Sequence, residues 1–435
     1  MDTASIAWPA PRADESAKVR RWRQQAREQF TAAGLPNGHE EHWRRANFGF
    51  VAPLAAGIAV VPSAVALVPE VLDGLGPFGA FTHLAFVDGR FTPALCALGD
   101  DDAVSISRLQ TALRDGQPAR APLLPNAGLD GDLRLALLNH ALGADGVHVV
   151  VHRDRAARHA IVLDHRGALQ HDGVTAISHV LRLEPGAVAT VVELHDERCT
   201  GLRTLLNEVR IELGAGSRLL HLRLAGPTHA SHLVDTLVVD VGRDAQYLQS
   251  TLAAPARALR STQSLHLAGN GASAIVRIGG IACGGADVDL RLLATHDADA
   301  TRSEQTVHVL GARGRATVDS EALVNSGRRA IRSRQSLRAI LLQPGCDVAL
   351  RPRLAILSDD VDCRHGATTS AFSDEQLFYL RSRGLPVEQA QQMLAAAHLE
   401  QLFPGTGDAA LDALVQERLH AALAAVVAVP DEATQ

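Results

Sequence analysis

The 435-residue sequence predicts a mainly β protein, a parallel β-helix core flanked by an N-terminal mixed, largely helical domain and a C-terminal helical domain. Three observations predict it. From about residue 146, short runs that alternate apolar and polar residues recur roughly every 10 to 20 residues, and no helix-length amphipathic pattern interrupts them. Asn-Gly and Asp-Gly hairpin turns, which a sandwich of that many strands would need, are scarce, AGNGA at 268–272 being the main exception. Several runs end on glycine, as in LRLAG, HLAG, RIGG and HVLG, which suits the corners of a coil. The domain boundaries that follow are 1–145, 146–370 and 371–435.

Residues 15–33 (ESAKVRRWRQQAREQFTAA) place Val19, Trp22, Ala26 and Phe30 at helical spacing, and Gly34 and Pro36 stop that helix. From Ala46 to Pro69 no residue is charged. Pro53, Pro62 and Pro69 cut this stretch into pieces too short to span a bilayer, so buried strands or a packed loop are expected. Helical candidates follow at 103–113 (AVSISRLQTAL) and 130–142 (DGDLRLALLNHAL). The strand runs are VHVVVHR, AVATVVEL, LLHLRLAG, TLVVDVG, SLHLAG, AIVRIGG, VDLRLLATH, TVHVLG, RATVDS, LRAILL and DVALRPRLAI. In LLHLRL, Leu220, Leu222 and Leu224 fall on one face and His221 and Arg223 on the other, the pattern of a half-buried strand. Ser373 with Gln376 forms a capping box, predicting a helix from Asp374 to Gly384 that Pro386 terminates. A second helix starts near Val387, with Ala390, Met393, Leu394 and Ala397 on one face. A third starts near Asp408, with Leu411, Leu414, Val415, Leu419 and Ala422 on one face.

Composition excludes several functions. Lys and Arg number 42 against 48 Asp and Glu, so no global field draws the chain to nucleic acid or an anionic membrane. Aromatics are 3% of the sequence, too few to supply stacking platforms for bases or sugars. Cys96, Cys199, Cys283, Cys346 and Cys363 are scattered with no C-x-x-C, which spells neither a disulfide framework nor a zinc ribbon. The N-terminal MDTASIAWPAPRADESAK lacks the basic and apolar regions of a secretory signal, so a cytoplasmic location is expected. There is no Walker A sequence, no G-x-G-x-x-G opening a helix after a strand, no G-x-S-x-G and no H-E-x-x-H. Catalysis by a self-contained motif therefore has no support.

The densest cluster of chemistry-bearing residues is DDVDCRHGATTSAFSDEQLFYLRSRG at 359–384. If Cys363-Arg364-His365 is extended, the thiol and the imidazole share a face and Arg364 points the other way, a usable pair of donors for iron or zinc. Two ligands do not close a tetrahedral site. Either a second chain supplies the rest, or the pair is a buried cysteine and a hydrogen-bonded histidine at a domain seam. Asp359 and Asp360, as neighbours on a strand, point to opposite faces, and with Asp362 they read better as a solvated turn than as paired acid and base. His229 with His232, and His195 with Cys199, read as outward-facing polar positions on strands. Arg328, Arg329, Arg332, Arg334 and Arg338 read as a solvated or partner-facing strand surface.

The stretch from Asp359 through LFYLRSRGLPVEQAQQMLAAAHL resembles the C-terminal signature of the SufB/SufD family of iron-sulfur cluster assembly proteins, whose pattern runs D-D-V-x-C-x-H-G-A-T and then L-F-Y-L-x-S-R-G. RPRLAI, the Gln335–Leu342 run and FTAAGLPNGHEEHWRRAN at 30–47 resemble further parts of that family. Gly366, where the SufB type carries a glutamate, and the length place the resemblance on the SufD-type branch. The resemblance implies a right-handed parallel β-helix with helical terminal domains, and a non-catalytic scaffold subunit in a complex with one SufB-type paralogue and two copies of a SufC-type ATPase, ATP binding only to the ATPase. It places the last coils against SufB, so that Cys363 and His365 lie at a shared interface where a nascent, transient iron-sulfur cluster is assembled, with His365 the metal-contributing residue. It places Phe378, Tyr379, Arg381, Ser382, Arg383 and Gly384 against the ATPase. Thr368–Phe372, Ala355, His308 and Thr317 depart from the family pattern, whereas His296 and Ser303 match it. Outside that family, the alternatives are a β-helix enzyme acting on polysaccharide through Asp359 and Asp360 and a self-contained metalloprotein; within it, the chain isolated from its partners is expected to pair with itself through an exposed β-helix edge.

Overall fold

The computed structural model describes residues 6–10, 15–57, 81–116, 133–143, 145–167, 172–226, 229–254, 257–343 and 345–427. Its centre is a parallel β-helix of about seven turns, built from two facing sheets. One sheet runs β1 (Thr82–Val87), β5 (Ile161–Gly167), the first half of β7 (Val188–Leu213), β8 (Arg218–Ala225), β10 (Gln246–Ala253), β12 (Ser273–Cys283), β14 (Arg302–Ala312), β16 (Ile331–Leu341) and β18 (Val361–Ala371). The other runs β3 (Val104–Arg108), β4 (Val147–Val151), β6 (Gly173–Leu183), the second half of β7, β9 (His229–Val241), β11 (Ala258–Leu267), β13 (Asp287–His296), β15 (Arg315–Val324) and β17 (Asp347–Ile356). Apart from β1 with the short β2 (Arg90–Phe91) and β3 with β4, the paired strands are parallel. Since β1 pairs in parallel with β5, residues ahead of 146 already contribute a rung.

One corner of the coil repeats a backbone device. Gly186, Gly216, Asp244, Gly271, Ala300 and Ala330 follow one another at intervals of 27 to 30 residues, each in the left-handed region with φ between 55° and 74°. Each of the first five donates its backbone N–H to the carbonyl of the residue just before the next, from Gly186 to Ala215 through to Ala300 to Arg329, at 2.8–3.0 Å. The left-handed residue turns the chain from one sheet to the other, and the bond stacks that turn on its successor. Alanine in this conformation is strained by about 1–2 kcal/mol, and glycine relieves that at the cost of some extra unfolded-state entropy. Ala300→Gly is therefore expected to raise stability by about 0.5–1 kcal/mol and Ala300→Val to lower it, read by thermal denaturation; a drop for the glycine variant would refute the strain argument.

Helices cover part of each outer face of the β-helix and leave the last coils bare. On the β6–β9 side lie α1 (Ala17–Ala33), the segment to Ala56 and α4 (Arg134–Leu142), whose Phe30, Trp43, Phe50, Leu54, Leu138 and Leu142 bury against Val174, Leu206 and Val234. The Arg260 guanidinium sits 3.6 Å above the Trp43 ring, and Arg353 pairs with Glu41 at 2.7 Å, strapping the N-terminal segment to the last coils. On the β8–β14 side, α6 (Val387–Glu400) and α7 (Ala409–Val427) bury Leu399, Leu411, Val415 and Leu419 against Leu222, Leu224, Leu252, Ile281 and Leu310. A methyl group on Gly279 would stand 3.1 Å from Leu399 Cδ2, so glycine there lets the helix come close.

Several elements differ from expectation. Residues 104–108 are strand β3 and only 109–115 (α3) are helical, because the alternation of VSISR matches a strand pairing with β4. The described part of the apolar 46–69 stretch forms a 3-10 turn at Phe48–Val51 and a short helix α2 (Ala52–Ala56), not strands; 58–69 lies outside the described residues. AGNGA makes the corner between β11 and β12, which belong to different sheets, not a hairpin. The glycines of RIGG and HVLG lie within β12 and β14. In the C-terminal domain α5 (Asp374–Ser382) starts at Asp374, but Ser373 makes no side-chain cap bond. The buried face of α6 is Ala390, Ala395 and Leu399, with Met393 57% exposed, because the helix is rotated to put Leu399 against Gly279.

Candidate functional site at the open end of the β-helix

Among the described residues the last strands of the two sheets, β17 and β18, pair on one side only, with β15 and β16. Their other edges carry unpaired ladder groups, and Pro352 in β17 fits an edge strand, where a missing N–H is tolerated. In β18 the register sets Cys363 on Ser333 and His365 on Gln335. Ser333 and Gln335 are buried and point into the bore, so Cys363 and His365 share the inner face of the final rung, the thiol half-buried and the imidazole exposed. Arg364 points outward and pairs with Asp362 at 3.0 Å in solvent.

Beneath this face the bore is polar. His296 bonds Ser303 Oγ through Nε2 at 2.9 Å and Thr301 Oγ1 through Nδ1 at 2.8 Å, and Ser303 Oγ bonds Ser333 Oγ at 2.9 Å. Burial holds the His296 imidazole neutral, its pKa down at about 4. Both amide atoms of Gln335 are buried and without a hydrogen-bond partner, an arrangement that costs stability unless something else meets them. Burial pushes the Cys363 thiol up, opposed by the Ser333 backbone N–H. The facing wall is apolar, with Val348 and Leu350 of β17 half-buried.

The acidic residues do not form an acid and base pair. Asp360 accepts the Ala330 backbone N–H at 2.9 Å and Asp362 pairs with Arg364, as a turn would have it. Arg332, Arg334 and Arg338 are exposed on the outer face of β16. On α5 no residue is buried, and Phe378 and Tyr379 are 73% and 58% exposed. Arg381, Ser382, Arg383 and Gly384 are exposed beside them, Arg383 lying 5.4 Å from the Tyr379 ring.

Two expectations about histidines are corrected. His195, His221 and Arg223 point into the bore, where each is at most 4% exposed, because the apolar face of LLHLRL is taken by the C-terminal helices outside. His232 faces outward but is covered by the N-terminal segment at Gly49, and burial lowers its pKa to about 4. The side chains of His229 and Cys199 lie outside the described residues. In the bore Arg223 binds Glu193 (Nε to Oε1, 2.8 Å) and Asp235 (Nη1 to Oδ2, 2.9 Å), and Glu193 also accepts Asn207 Nδ2 at 3.1 Å. The signal for this buried ionic cluster was present in the sequence as polar residues at period 2 within apolar runs. Its inward orientation was not.

A model of the SUF system FeS cluster assembly SufBD core domain matches residues 165–398. The chain is 30% identical over 412 residues, 91% of each protein, to the iron-sulfur cluster assembly protein SufD of Escherichia coli (strain K12). It is 32% identical over 111 residues, 26% of this chain and 23% of the relative, to the chloroplastic protein ABCI7 of Arabidopsis thaliana. A SufBD family protein of Synechocystis is 34% identical over 82 residues, 19% of this chain and 18% of that protein. With the core model covering more than half of the sequence and a SufD relative aligned over nearly all of it, the chain belongs to the SufB/SufD family of iron-sulfur cluster assembly proteins, on its SufD-type branch.

Proposed function

We propose that this iron-sulfur cluster assembly protein is the non-catalytic scaffold subunit of a SufBCD-type complex. A SufB-type paralogue docks on the open end, and the nascent cluster is built as substrate between its residues and His365 and Cys363 of this chain. The observation that carries the reading is the inner face of the last rung: two donors for iron or sulfur stand at an unpaired sheet end above a buried, unpartnered Gln335. Two donors are too few for a closed site, and a partner edge would supply both further ligands and ladder partners. A SufC-type ATPase, the subunit that binds ATP, meets α5 through Phe378, Tyr379, Arg381, Ser382, Arg383 and Gly384; aromatic side chains exposed on a helix that buries nothing suit a protein partner. Nucleotide-driven movement of the ATPase would pull on the C-terminal helices and change the interface. The isolated chain would pair with itself through the same edge. No helix among the described residues is long and apolar enough to cross a membrane, in keeping with work in the cytoplasm.

Co-expression with SufB-type and SufC-type partners tests this. His365→Ala is expected to leave the complex intact by size-exclusion chromatography and to cut reconstituted cluster absorbance near 420 nm by about tenfold or more, the scale on which loss of a metal-site group acts. Normal cluster formation in His365→Ala and in Cys363→Ala would reduce the end of the β-helix to a mechanical seam.

A further inference from the structure

Far from the open end, the first rungs of the bore hold a second set of donors. His165 on β5 and His195 on β7 are in register, their rings stacked 4.6 Å apart at 8°, with Glu193 two residues before His195 on the same inner face. One ligand atom from each of His165, Glu193 and His195 lies within 4.8 Å of the other two, and all three residues are buried. His165 Nε2 and His195 Nδ1 have no hydrogen-bond partner, although His165 is 2% and His195 4% exposed. Orphaned imidazole nitrogens in a dry interior cost stability unless a ligand meets them.

We propose that His165, His195 and Glu193 bind one divalent first-row transition ion, Zn²⁺ or Fe²⁺, as a resident ion inside the first coils. Two imidazoles and one carboxylate are the donor set that such ions accept with one position left open. Ligand atoms around a tetrahedral ion stand about 3.4 Å apart, so turning one imidazole about its Cβ–Cγ bond, a soft torsion, brings the set together. A cavity of about 20 Å³, large enough for one water, borders His195; Arg223, Asp235, Thr251 and Ser261 line it together with the apolar Ala225, Leu233, Ala253, Leu259 and Leu290. The surroundings are those of an outer ligand shell. Glu193 is oriented by Arg223, Asn207 and His221, the last at 2.7 Å. Two carboxylates, Glu193 and Asp235, face the single Arg223 guanidinium, which leaves an excess negative charge for a cation to neutralise. His179, whose ring is 5.1 Å from that of His165, is no ligand: its Nδ1 accepts the Val147 N–H at 3.3 Å, so its proton sits on Nε2.

The full chain, stripped with a chelator and dialysed anaerobically against Zn²⁺ or Fe²⁺, is expected to retain about one equivalent by plasma mass spectrometry, and the Cys363→Ala/His365→Ala variant the same. His195→Gln and His165→Asn are expected to hold roughly a tenth or less. Cobalt substitution of the wild type should give visible ligand-field bands with no thiolate-to-cobalt charge transfer in the near ultraviolet, which decides the matter even if the histidine variants do not fold. A thiolate band, loss of the ion in the Cys363/His365 variant, full retention in folded His195→Gln, or no retained ion in the wild type overturns the proposal. The cluster experiment at His365 is independent of each of these outcomes.

Discussion

Arg223→Ala is expected to lower the stability of the isolated chain by about 3–5 kcal/mol, the cost of leaving buried carboxylates without their counter-charge. The guanidinium makes four contacts inside the bore, to Glu193 at 2.8 and 3.3 Å and to Asp235 at 2.9 and 2.5 Å, and its side chain is 5% exposed. Glu193 keeps Asn207 and has His221 Nε2 2.7 Å away, and Asp235 keeps Asn207 and Ser261, but these neutral groups do not replace a charge. Arg223→Lys retains the charge without the planar fork and should fall between. Replacing Glu193, Arg223 and Asp235 together by Leu, Met and Leu should recover most of the loss, because the pair's attraction only offsets its desolvation. Urea midpoints measure all three variants. An alanine variant within about 1 kcal/mol of wild type would show that water enters the bore and that the cluster is not dry.

Acidification from pH 6.5 towards pH 4 is expected to unfold the protein. Burial drives the His179 pKa down to about 3 and that of His296 to about 4, from an ordinary 6.5. Both are fully buried, so the native state keeps them neutral while the unfolded chain takes up a proton on each. The sign follows: stability is whole above pH 6.5 and falls as the pH drops towards the folded pKa, by about 1.4 kcal/mol per pH unit for each such histidine. His232 and His398, each lowered to about 4 and less deeply enclosed, act in the same direction. His398 stacks on His308 at 4.3 Å where α6 meets β14, so charging that pair should loosen the C-terminal helices first. His266, held up by Asp240 and Asp297, acts oppositely and adds stability below pH 6.5. Circular dichroism against pH measures the loss. His296→Gln should move the midpoint to lower pH, and a midpoint unchanged in that variant would remove His296 from the account.

Much of this molecule was legible in its sequence because the information is local. The period-2 runs from VHVVVHR to DVALRPRLAI mark strands, the shortage of hairpin turns marks parallel coiling, and Gly384, Pro386 and the apolar spacing at 411–422 mark the C-terminal helices. The pairing of Cys363 and His365 on one face follows from extended geometry alone, and the signature around them was specific enough to indicate the family. What stayed hidden depends on contacts between distant residues. A period of 2 says that two faces differ and not which one is inside. His221 and Arg223 therefore looked solvent-facing until α6 and α7 covered the leucines on the other side.

The same holds for the corners, where Ala300 and Ala330 carry a left-handed backbone that alanine does not advertise. Local sequence was enough for the strands, the coil class and the shared face of Cys363 and His365, because propensity, alternation and a contiguous motif act over a few residues. It took the folded chain to set those two side chains on the inner face of the last rung, to leave Gln335 beneath them without a partner, and to bring His165, Glu193 and His195 within 4.8 Å. Stacking rungs about 30 residues apart brings side chains together in three dimensions, and that register is set by the turns and by what packs outside, not by any local pattern.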